Sequence, residues 1–385
     1  MNIVHIVLGR PKPEAANGVL QSVYYLSIHQ GIYGHKVDIL SLRGKIKEES
    51  IQIVSNVNVH FFERYKLRFF IDKYVTKYLE DHADSIDIVH FHSAYHPEYW
   101  TISRILKKLN ISYIISPRGS YQKIANKRNF ILKKIYKALF EISIIKNAEK
   151  IHALNSYEAV NMHEYGVPNS QIVIIPNGVD IEKINNIKQN ISKAHSDEFV
   201  LVYCGRIDAY YKGLDVLVRA MKTLTNRGLK TKIHLRLVGP DWKNGKKDIE
   251  KLVNELGLQQ NVTFYGAKYG LEKYELYSTS AAFILPSRTE GMPTSVLDAM
   301  AFGLPCILTP ETNIDPKIME NGGCIFVKLS TESLADTIEK AMSDKYALQL
   351  IGLKGQEWVK KHYNYPEVAS QHISVYKNLS EIKAL

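Results

Sequence analysis

Two carboxylates, Glu290 and Asp298, flank the stretch of this 385-residue chain whose residue types best support chemistry. In PSRTEGMPTSVLDAMAFG, residues 286–303, Glu290 lies in a Gly/Pro loop after an apolar strand and Asp298 in the helix that follows. A strand, a tight loop and a helix N-terminus form an anion site, because free backbone N–H groups and the helix dipole meet there. The carboxylates can accept hydrogen bonds from hydroxyls, so the predicted ligand is an anion that carries sugar hydroxyls, such as a nucleotide-sugar.

Two cations lie in the segment GRIDAYYKGLDVLVRAM, which follows the first predicted strand of the second half. Arg206 offers a planar fork and Lys212 a point charge, so together they could neutralise a diphosphate leaving group. Solvated surface cations are an equally good interpretation of these two residues alone.

Gly239 and Gly266 end two further strands, in RLVGPDW and FYGAK, and their exposed backbone could read a base edge, although turn glycines are common. The sequence contains no Asp-x-Asp triplet, so we expect Arg206, Lys212 and backbone amides, without a metal, to neutralise the phosphates.

In the first half, three positions follow or end predicted strands. Gly18 begins a helix after the long loop GRPKPEAAN, where a glycine either lets the backbone approach a ligand or merely starts the helix. His90 and His92 end the strand DIVHFH on one face, and a lone histidine is more often structural than catalytic. Arg118 lies in SPRGSY beside a glycine, and no packing purpose for its guanidinium is evident from the sequence.

Short apolar runs alternate with amphipathic stretches along the whole chain, which predicts βαβ units and parallel sheets buried on both faces. A chain of 385 residues fits two such domains, so the predicted fold is α/β with two doubly wound units. Residues 181–198 are polar and predict a linker, and residues from about 365 to 385 predict a C-terminal helix. The predicted strands occupy residues 2–8, 36–40, 56–62, 87–92, 112–116, 150–154 and 172–176 in the first half, and 199–205, 233–239, 262–266, 281–286, 305–309 and 324–327 in the second.

The formal net charge of +11 is concentrated in residues 1–190, which hold 25 Lys and Arg against 17 Asp and Glu. A basic half indicates an anionic partner such as a phospholipid surface or a lipid-linked diphosphate. Residues 123–150 predict a basic amphipathic helix that could lie on an anionic leaflet. A core helix with a solvated lysine face is the equal alternative, since the Ile-, Lys- and Asn-rich composition is also what A/T-rich codons produce. Nucleic-acid binding is disfavoured, because no stacking platform or known module is present.

Neither a signal peptide nor a membrane span is predicted, because the first apolar run lacks a basic leader and no segment holds eighteen uninterrupted apolar residues. Three cysteines scattered through the second half favour buried, reduced thiols. We therefore expect a cytoplasmic protein that is peripheral, if anything, on the inner face of the membrane.

Taken together, these segments resemble a retaining glycosyltransferase of family 4 with the GT-B fold, and the likeness runs nearly end to end. The segments that carry it stand in family order: the Gly18 loop, GIYGHKVDIL, DIVHFH, PNGVD, GRIDAYYKGLDVL, LVGPD, VTFYGA and PSRTEGMP…LDAMAFGLP. The resemblance implies an acceptor-binding Rossmann-like domain at 1–185, a nucleotide-sugar-binding domain at 195–362, and a C-terminal helix at 363–385 that packs on the first domain.

The resemblance also implies roles for residues. Arg206 and Lys212 would contact the diphosphate, Glu290 the hydroxyls of the transferred sugar, and Asp298 the ribose diol. Gly18 would approach the diphosphate from across the cleft. Gly239 and Gly266 would complete the nucleotide site. The phosphates would lie against the loop formed by Gly291, Met292 and Pro293 and against the backbone amides that follow it, beginning with that of Thr294.

Two positions depart from the family pattern. Asp298 stands where the family usually has Glu, so its ribose contact is expected to be weaker or water-mediated. Arg118 stands in a loop where many members carry His, and an arginine there is able to bind a phosphate or an anionic sugar. The family's catalytic-site histidine is therefore not transferred to that position, and we place His92 and Arg118 only on the acceptor or sugar side.

The function that the resemblance implies is metal-independent, retaining hexosyl transfer. The donor would be a nucleotide diphosphate hexose or N-acetylhexosamine, with UDP favoured over GDP and no cofactor required. The acceptor would be a lipid-linked or polysaccharide glycan in bacterial capsule, O-antigen or exopolysaccharide synthesis. The alternative is a non-catalytic sugar-nucleotide-binding or scaffold subunit of the same fold.

Overall fold

A computed structural model describes residues 1–15, 17–44, 50–122, 130–191, 198–229 and 231–384. The chain divides into two compact units. Unit 1 comprises Met1–Gly178 and Tyr365–Leu385, and unit 2 comprises Val179–Asn364, so the divisions fall near the predicted limits of 185–195 and 362. The prediction of a linker over 181–198 is wrong for Ile181–Gln189, which forms a helix of unit 2, whereas residues 192–197 lie outside the described residues.

Unit 1 is built on an eight-stranded sheet with the order β3-β4-β2-β1-β5-β6-β7-β8. All neighbouring strands are parallel except β3 and β4, which form an antiparallel pair at one edge. The strands are β1 Asn2–Leu8, β2 Lys36–Arg43, β3 Ser50–Val54, β4 Val57–Glu63, β5 Ile88–His92, β6 Tyr113–Ser116, β7 Lys150–Ala153 and β8 Ile172–Ile174. Only β3 lies outside the sequence prediction, because its residues are partly exposed and lack a continuous apolar run.

The helices of unit 1 are α1 Gly18–Ile32, α2 Lys73–Asp81, α3 Pro97–Lys108, α4 Phe130–Tyr136, α5 Ile142–Lys146, α6 Ser156–His163 and the C-terminal helix Tyr365–Ala384, numbered α15. A π-helical turn, Lys137–Glu141, joins α4 to α5, and Asn169–Gln171 is a 3₁₀ turn. The C-terminal helix packs on the sheet of unit 1, where Tyr376 and Leu379 join a buried cluster with Ile3, Val37 and Ile114.

Unit 2 holds a six-stranded parallel sheet with the order β11-β10-β9-β12-β13-β14. The strands are β9 Phe199–Cys204, β10 Ile233–Val238, β11 Val262–Gly266, β12 Ala282–Leu285, β13 Cys306–Leu308 and β14 Ile325–Phe326. The helices are α7 Ile181–Gln189, α8 Leu214–Asn226, α9 Gly245–Glu255, α10 Gly270–Ser278, α11 Thr294–Phe302, α12 Lys317–Glu320, α13 Thr331–Ser343 and α14 Lys345–His362, and Pro310–Thr312 is a 3₁₀ turn. In order of occurrence the strands read 3-2-1-4-5-6, the doubly wound arrangement in which ligands bind at the carboxyl ends where the order reverses.

The apolar strands of both sheets explain this architecture. In β1 and β9 nearly every residue is buried, as expected of parallel strands that are covered by helices on both faces. Short polar side chains begin several helices by accepting backbone N–H bonds: Asn17 for α1, Asp72 for α2, Asn155 for α6 and Asp180 for α7. Among the described residues, no helix combines the length and apolar character needed to cross a bilayer.

Candidate functional site

The residues expected to bind a donor lie on loops that follow β9 and β12 of unit 2, on either side of the point where the strand order reverses. Two glycines permit these loops to approach their neighbours. A Cβ at Gly213, which has φ +66°, would lie 1.9 Å from the carbonyl oxygen of Pro286. A Cβ at Gly239, with φ +148°, would lie 1.8 Å from the carbonyl oxygen of Gly205. Only glycine fits either position, so the loops after β9, β10 and β12 meet at one edge of the sheet.

Lys212 and Glu290, 78 positions apart, form an ion pair in which Nζ lies 2.5 Å from Oε1. Their side chains are 14% and 12% exposed, so the pair is largely removed from water. The buried Ser287 hydroxyl donates to the same carboxylate oxygen at 2.6 Å, and the Asn313 side-chain amide donates to the Glu290 carbonyl oxygen at 2.5 Å. The structure thus brings together two residues predicted from the sequence, Lys212 and Glu290, and hydrogen bonds from Ser287 and Asn313 fix the position of Glu290.

Asp298 is also paired. The Nζ atom of Lys273, in α10, lies 2.7 Å from Oδ2 of Asp298, in α11. Burial lowers the pKa of Lys273, but the charge of Asp298 more than offsets it, so the pKa lies above the ordinary value. Sequence reasoning missed Lys273, because nothing in the local pattern KYE indicates a partner 25 positions away.

Arg206 is not part of these pairs. Its guanidinium lies 4.4 Å from the ring centroid of Trp242, a cation–π distance, and the residue is exposed. The neighbouring Arg288, also missed, forms a two-point ion pair with Asp215 at 2.7 and 2.9 Å. Because the Arg288 backbone N–H also donates to the Tyr211 carbonyl oxygen at 2.9 Å, the loop after β12 is fastened to the loop that carries Arg206 and Lys212.

The remaining predicted donor-site residues lie at the expected element boundaries. Gly291 and the buried Met292 precede Pro293, which stands at the N-cap of α11 without a side-chain cap bond, and Thr294 is the first helical residue. Gly266 ends β11 with φ +66° and would place a Cβ in open space, so it demands glycine for its backbone conformation alone. Gly18 is the first residue of α1 in unit 1.

In unit 1, five histidines are buried together: His5, His90, His92, His152 and His372. Burial lowers the pKa of each; His5 falls to about 4 and His372 to about 3, so all five rings are neutral near pH 7. A neutral imidazole has one donor and one acceptor nitrogen. The histidines lie in two chains of hydrogen bonds, and the groups at the ends of each chain determine which nitrogen donates.

The first hydrogen-bond chain joins the Ile175 carbonyl oxygen to the Tyr376 hydroxyl, and the donors and acceptors are fixed from the Ile175 end. His152 must donate from Nε2 to the Ile175 carbonyl oxygen, 2.7 Å away, so its Nδ1 accepts from the Ser116 hydroxyl at 2.5 Å. Ser116 then accepts from His90 Nε2 at 2.6 Å, and His90 Nδ1 accepts from the Tyr376 hydroxyl at 2.6 Å. This chain ties the C-terminal helix to the carboxyl ends of β5, β6 and β7.

The second chain starts at Arg118, which can only donate. Its guanidinium donates to His92 Nδ1 at 3.2 Å, so His92 Nε2 donates to His5 Nδ1 at 2.9 Å and His5 Nε2 donates to the Gln30 side-chain oxygen at 2.8 Å. His92 therefore sits in the interior with both ring nitrogens occupied. The structural interpretation of His90 and His92 explains every contact seen here.

His5, His90 and His92 also bring their ring nitrogens within 4.8 Å of one another, a spacing that could hold a metal ion. The hydrogen bonds above already account for these nitrogens, and the Arg118 cation next to His92 would oppose a second positive charge. The arrangement fits a hydrogen-bonded network better than a metal centre.

The helical segment 130–146 does not behave as a core helix. Its apolar side chains at Ile131, Leu132, Ile135 and Leu139 are 51–72% exposed, and only Ile144 and Ile145 are buried. The core-helix alternative is therefore wrong for residues 130–139, whereas the predicted start of the basic helix, residues 123–129, lies outside the described residues.

Comparison with known proteins agrees with this architecture. The family model described as Glycosyltransferase Family 4 matches residues 16–183, and the model described as Glycosyl transferases group 1 matches residues 185–358. A capsular polysaccharide biosynthesis glycosyltransferase, CapM of Staphylococcus aureus, is 26% identical over 208 residues, 52% of each chain. An Escherichia coli UDP-Gal:alpha-D-GlcNAc-diphosphoundecaprenol alpha-1,3-galactosyltransferase is 26% identical over 234 residues, 59% of this chain and 58% of its own.

The alignments span little more than half the length of these two relatives. A solved structure, the sucrose-phosphate synthase of Thermosynechococcus elongatus, superposes with a TM-score of 0.76 at 20% identity and covers 98% of both chains. That likeness shows the fold, which is GT-B with two parallel-sheet α/β domains. The two family models together cover most of the chain in the expected order, and the chain belongs to the family 4 glycosyltransferases.

Proposed function

We propose that this enzyme transfers a hexose or N-acetylhexosamine, with retention of configuration, from a nucleotide diphosphate sugar to a lipid-linked or polysaccharide acceptor of a bacterial surface glycan. Two relatives, a capsular glycosyltransferase and a galactosyltransferase named for UDP-Gal and a diphosphoundecaprenol acceptor, support this class of reaction and favour a UDP-sugar.

The observation that carries the proposal is the Lys212–Glu290 pair beside the N-terminus of α11. On donor binding, Lys212 would exchange its carboxylate partner for the diphosphate, while Glu290 turns to accept hydrogen bonds from the sugar hydroxyls. Arg206 and the backbone N–H groups of Gly291, Met292 and Thr294 would add positive potential around the phosphates. Stabilisation of developing charge by groups already in place often contributes more to catalysis than any other effect.

The bond changes need no protein nucleophile. The acceptor hydroxyl oxygen bonds to the anomeric carbon as the bond from that carbon to the diphosphate oxygen breaks, on the same face of the sugar. The hydroxyl proton passes to the departing phosphate oxygen. Because Lys212, Arg206 and peptide dipoles neutralise the leaving group, the proposed reaction proceeds without a metal.

The nucleoside is assigned to the neighbouring loops. Asp298 would accept from the ribose hydroxyls, and the Lys273 ammonium, 2.7 Å away, orients that carboxylate. The loops of Gly239 and Gly266 would contact the base through their backbones. Asp298 is one methylene shorter than the family's usual residue, and its tether to Lys273 limits its reach further.

The acceptor is assigned to unit 1, with a membrane surface formed by two segments. Phe69 packs against Phe140 with ring centroids 4.8 Å apart, which joins the loop before α2 to the helical segment 130–140. Around this junction Leu67, Phe70, Ile131, Leu132, Ile135 and Leu139 are exposed, and Lys66, Arg68, Lys133, Lys134 and Lys137 supply positive charge. Such a surface suits peripheral binding to an anionic leaflet, on the cytoplasmic face where nucleotide-sugars are available.

A plate of nucleotide-sugars screened by thermal unfolding tests the donor assignment. A ligand at 100 times its dissociation constant adds about 2.7 kcal/mol of stability, so base and sugar are identified together. The stabilising donor is then incubated with and without EDTA and followed by NMR for hydrolysis or transfer and for the anomeric configuration of the product. Transfer lost with EDTA contradicts metal independence, and donor binding without any turnover indicates the non-catalytic subunit instead.

A further inference from the structure

Arg118 occupies an unusual position at the end of β6. It adopts a left-handed backbone conformation, with φ +54°, and is followed by Gly119 at φ +81°. A non-glycine residue there is strained, and such strain persists only where the surroundings enforce it. The turn directs the guanidinium to two partners, the Asn177 side-chain oxygen and His92 Nδ1. Its Nε–H is buried and has no hydrogen-bond partner among the described residues.

Both partners of this cation are neutral. The carboxylate whose charge acts on Arg118, Glu158, is fully buried and accepts instead from the backbone N–H groups of Gly119 at 2.5 Å and Leu154 at 2.7 Å. Within the described part of the chain, no carboxylate forms an ion pair with Arg118. Burial lowers the pKa of the guanidinium, and the charge of Glu158 offsets that effect only in part.

The histidines cannot supply the missing negative charge. An imidazole is neutral or positive, and the Arg118 cation itself contributes to the lowered pKa of His5, His92, His152 and His372. The chain from Arg118 through His92 and His5 to Gln30 holds the guanidinium by accepting one of its N–H groups. The network therefore orients a cation that has no hydrogen-bonded carboxylate among the described residues, and the residue keeps part of its surface accessible.

We propose that Arg118 binds an oxyanion of the acceptor, either the phosphate of a lipid-linked diphosphate or the carboxylate of an acidic sugar. The inference rests on the proposed glycosyl transfer, since it names the chemical class of the acceptor at the unit 1 site. A guanidinium forms strong, directional hydrogen bonds to phosphate and carboxylate, and the incoming anion would be the direct ion-pair partner that Arg118 lacks among the described residues.

The test uses the full chain and two probes, phenyl phosphate and glucuronate, titrated by calorimetry and by the midpoint of thermal unfolding. Three variants are compared with the wild type: Arg118→Gln, Arg118→Lys and, as the control for anions that bind the donor site, Lys212→Ala. We expect one probe to bind the wild type and Lys212→Ala equally, to bind Arg118→Gln at least tenfold more weakly, and to bind Arg118→Lys with intermediate affinity. The probe that binds identifies the phosphate or the carboxylate as the acceptor group.

Equal binding to the wild type and Arg118→Gln, or binding lost only in Lys212→Ala, overturns the proposal, as does failure of both probes to bind the wild type. Stabilisation by UDP is measured in parallel on each protein. If Arg118→Gln keeps the UDP effect and loses the anion effect, the variant is folded and the acceptor inference holds. If UDP stabilises none of the proteins, the proposed donor site has failed independently of Arg118. Should Arg118→Gln not fold, the charge-retaining Arg118→Lys decides, because unchanged affinity with altered geometry would contradict a directional site.

Discussion

The carboxyl edges of the two sheets hold their buried cations in opposite ways. In unit 2, the candidate site contains Lys212 paired with Glu290 and Lys273 paired with Asp298, both largely buried. In unit 1, a single guanidinium, Arg118, is held among five neutral histidines without an ion-pair partner in the described residues. Both edges stand at the carboxyl ends of doubly wound sheets, so the difference lies in side chains alone.

The difference indicates how each edge responds to a ligand. Under the proposed function, a pyrophosphate bound to unit 2 would compete with Glu290 for Lys212, so the broken pair would offset part of its binding free energy. An anion that reaches Arg118 displaces no carboxylate. Unit 1 therefore depends for its stability on keeping the histidines neutral, whereas unit 2 depends on keeping its opposite charges matched.

Acidification should produce the largest difference in stability between the two units. The pKa values of five buried histidines are lowered in the folded state, so their contribution to stability is complete above the unfolded value near 6.5 and is lost as the pH falls toward about 4 for His5. Each such histidine weakens folding by about 1.4 kcal/mol per pH unit in that window. Burial raises the pKa of Glu141 to about 7 and also raises that of Glu158, which opposes the effect with two groups against five. We expect unit 1 to unfold first between about pH 6 and pH 4.

Tryptophan fluorescence can follow each unit, because Trp100 lies in unit 1 and Trp242 and Trp358 lie in unit 2. Acid titrations of Trp242→Phe/Trp358→Phe and of Trp100→Phe therefore report units 1 and 2 separately. The variant His372→Leu removes one titrating ring whose Nε2 has no partner among the described residues, and it should flatten the acid transition of unit 1. Coincident transitions, or unit 2 unfolding first, would show that the neutral network does not control acid stability.

The parallel α/β character and most of the strands were predictable, but β3 and the charge pairs were not. Apolar runs such as those of β1 and β9 predict strands buried on both faces, and the loops after β9 and β12 are where Arg206, Lys212 and Glu290 lie. Lys273 lies outside the recognised motifs, and Arg288 lies inside PSRTEGMP but was not singled out there. Their partners are 25 and 73 positions away, and nothing local distinguishes the two residues from surface cations.

Part of the histidine network could have been predicted by considering the histidines of different strands together. His5, His90, His92 and His152 each interrupt an apolar run of a predicted parallel strand, where a buried polar group must find a hydrogen-bond partner. Because β1 and β5 are adjacent in the sheet, His5, His90 and His92 predict one another as partners, whereas His152 in β7 reaches His90 only through Ser116 of β6. The participation of His372 and Tyr376 was not predictable, because it depends on where the C-terminal helix packs.

Removal of the Lys212 ammonium should produce the largest effect on turnover. We expect Lys212→Ala to lower kcat by about 10²–10³, the loss typical of deleting one group that stabilises developing negative charge. Rates are measured with the donor identified by thermal shift, at saturating donor and acceptor. Lys246→Ala is the matched control, because Lys246 is exposed and its ammonium lies 3.4 Å from the carboxylate of its helical neighbour Glu250. Unchanged kcat in Lys212→Ala would refute the electrostatic mechanism.

The second pair of unit 2 should affect binding rather than chemistry. Asp298→Asn keeps a hydrogen-bond acceptor for ribose but removes the charge that balances Lys273. We expect the donor KM to rise about tenfold, the cost of one charged hydrogen bond, while kcat changes little, because ribose contacts stabilise substrate and transition state alike. The test is a comparison of kcat and KM for the same donor, with thermal unfolding to measure the loss of the ion pair. A fall in kcat at constant KM would place Asp298 closer to the reacting atoms than proposed.

The exposed apolar side chains provide the smallest and most local contrast between the units. Ile135 and Leu139 lie on the proposed membrane surface of unit 1, whereas Leu353, 56% exposed on α14, is an apolar residue of unit 2 with no such role. We expect Ile135→Ser/Leu139→Ser to weaken binding to anionic vesicles about fivefold, since affinity scales with the apolar area buried in the interface, and Leu353→Ser to leave it unchanged. Sedimentation with vesicles of 30% phosphatidylglycerol, roughly the charge of an anionic leaflet, measures both variants at low and high salt. Because the three side chains are already exposed, neither variant should lower the unfolding midpoint, and equal vesicle binding by all proteins would remove the membrane assignment from segment 130–140.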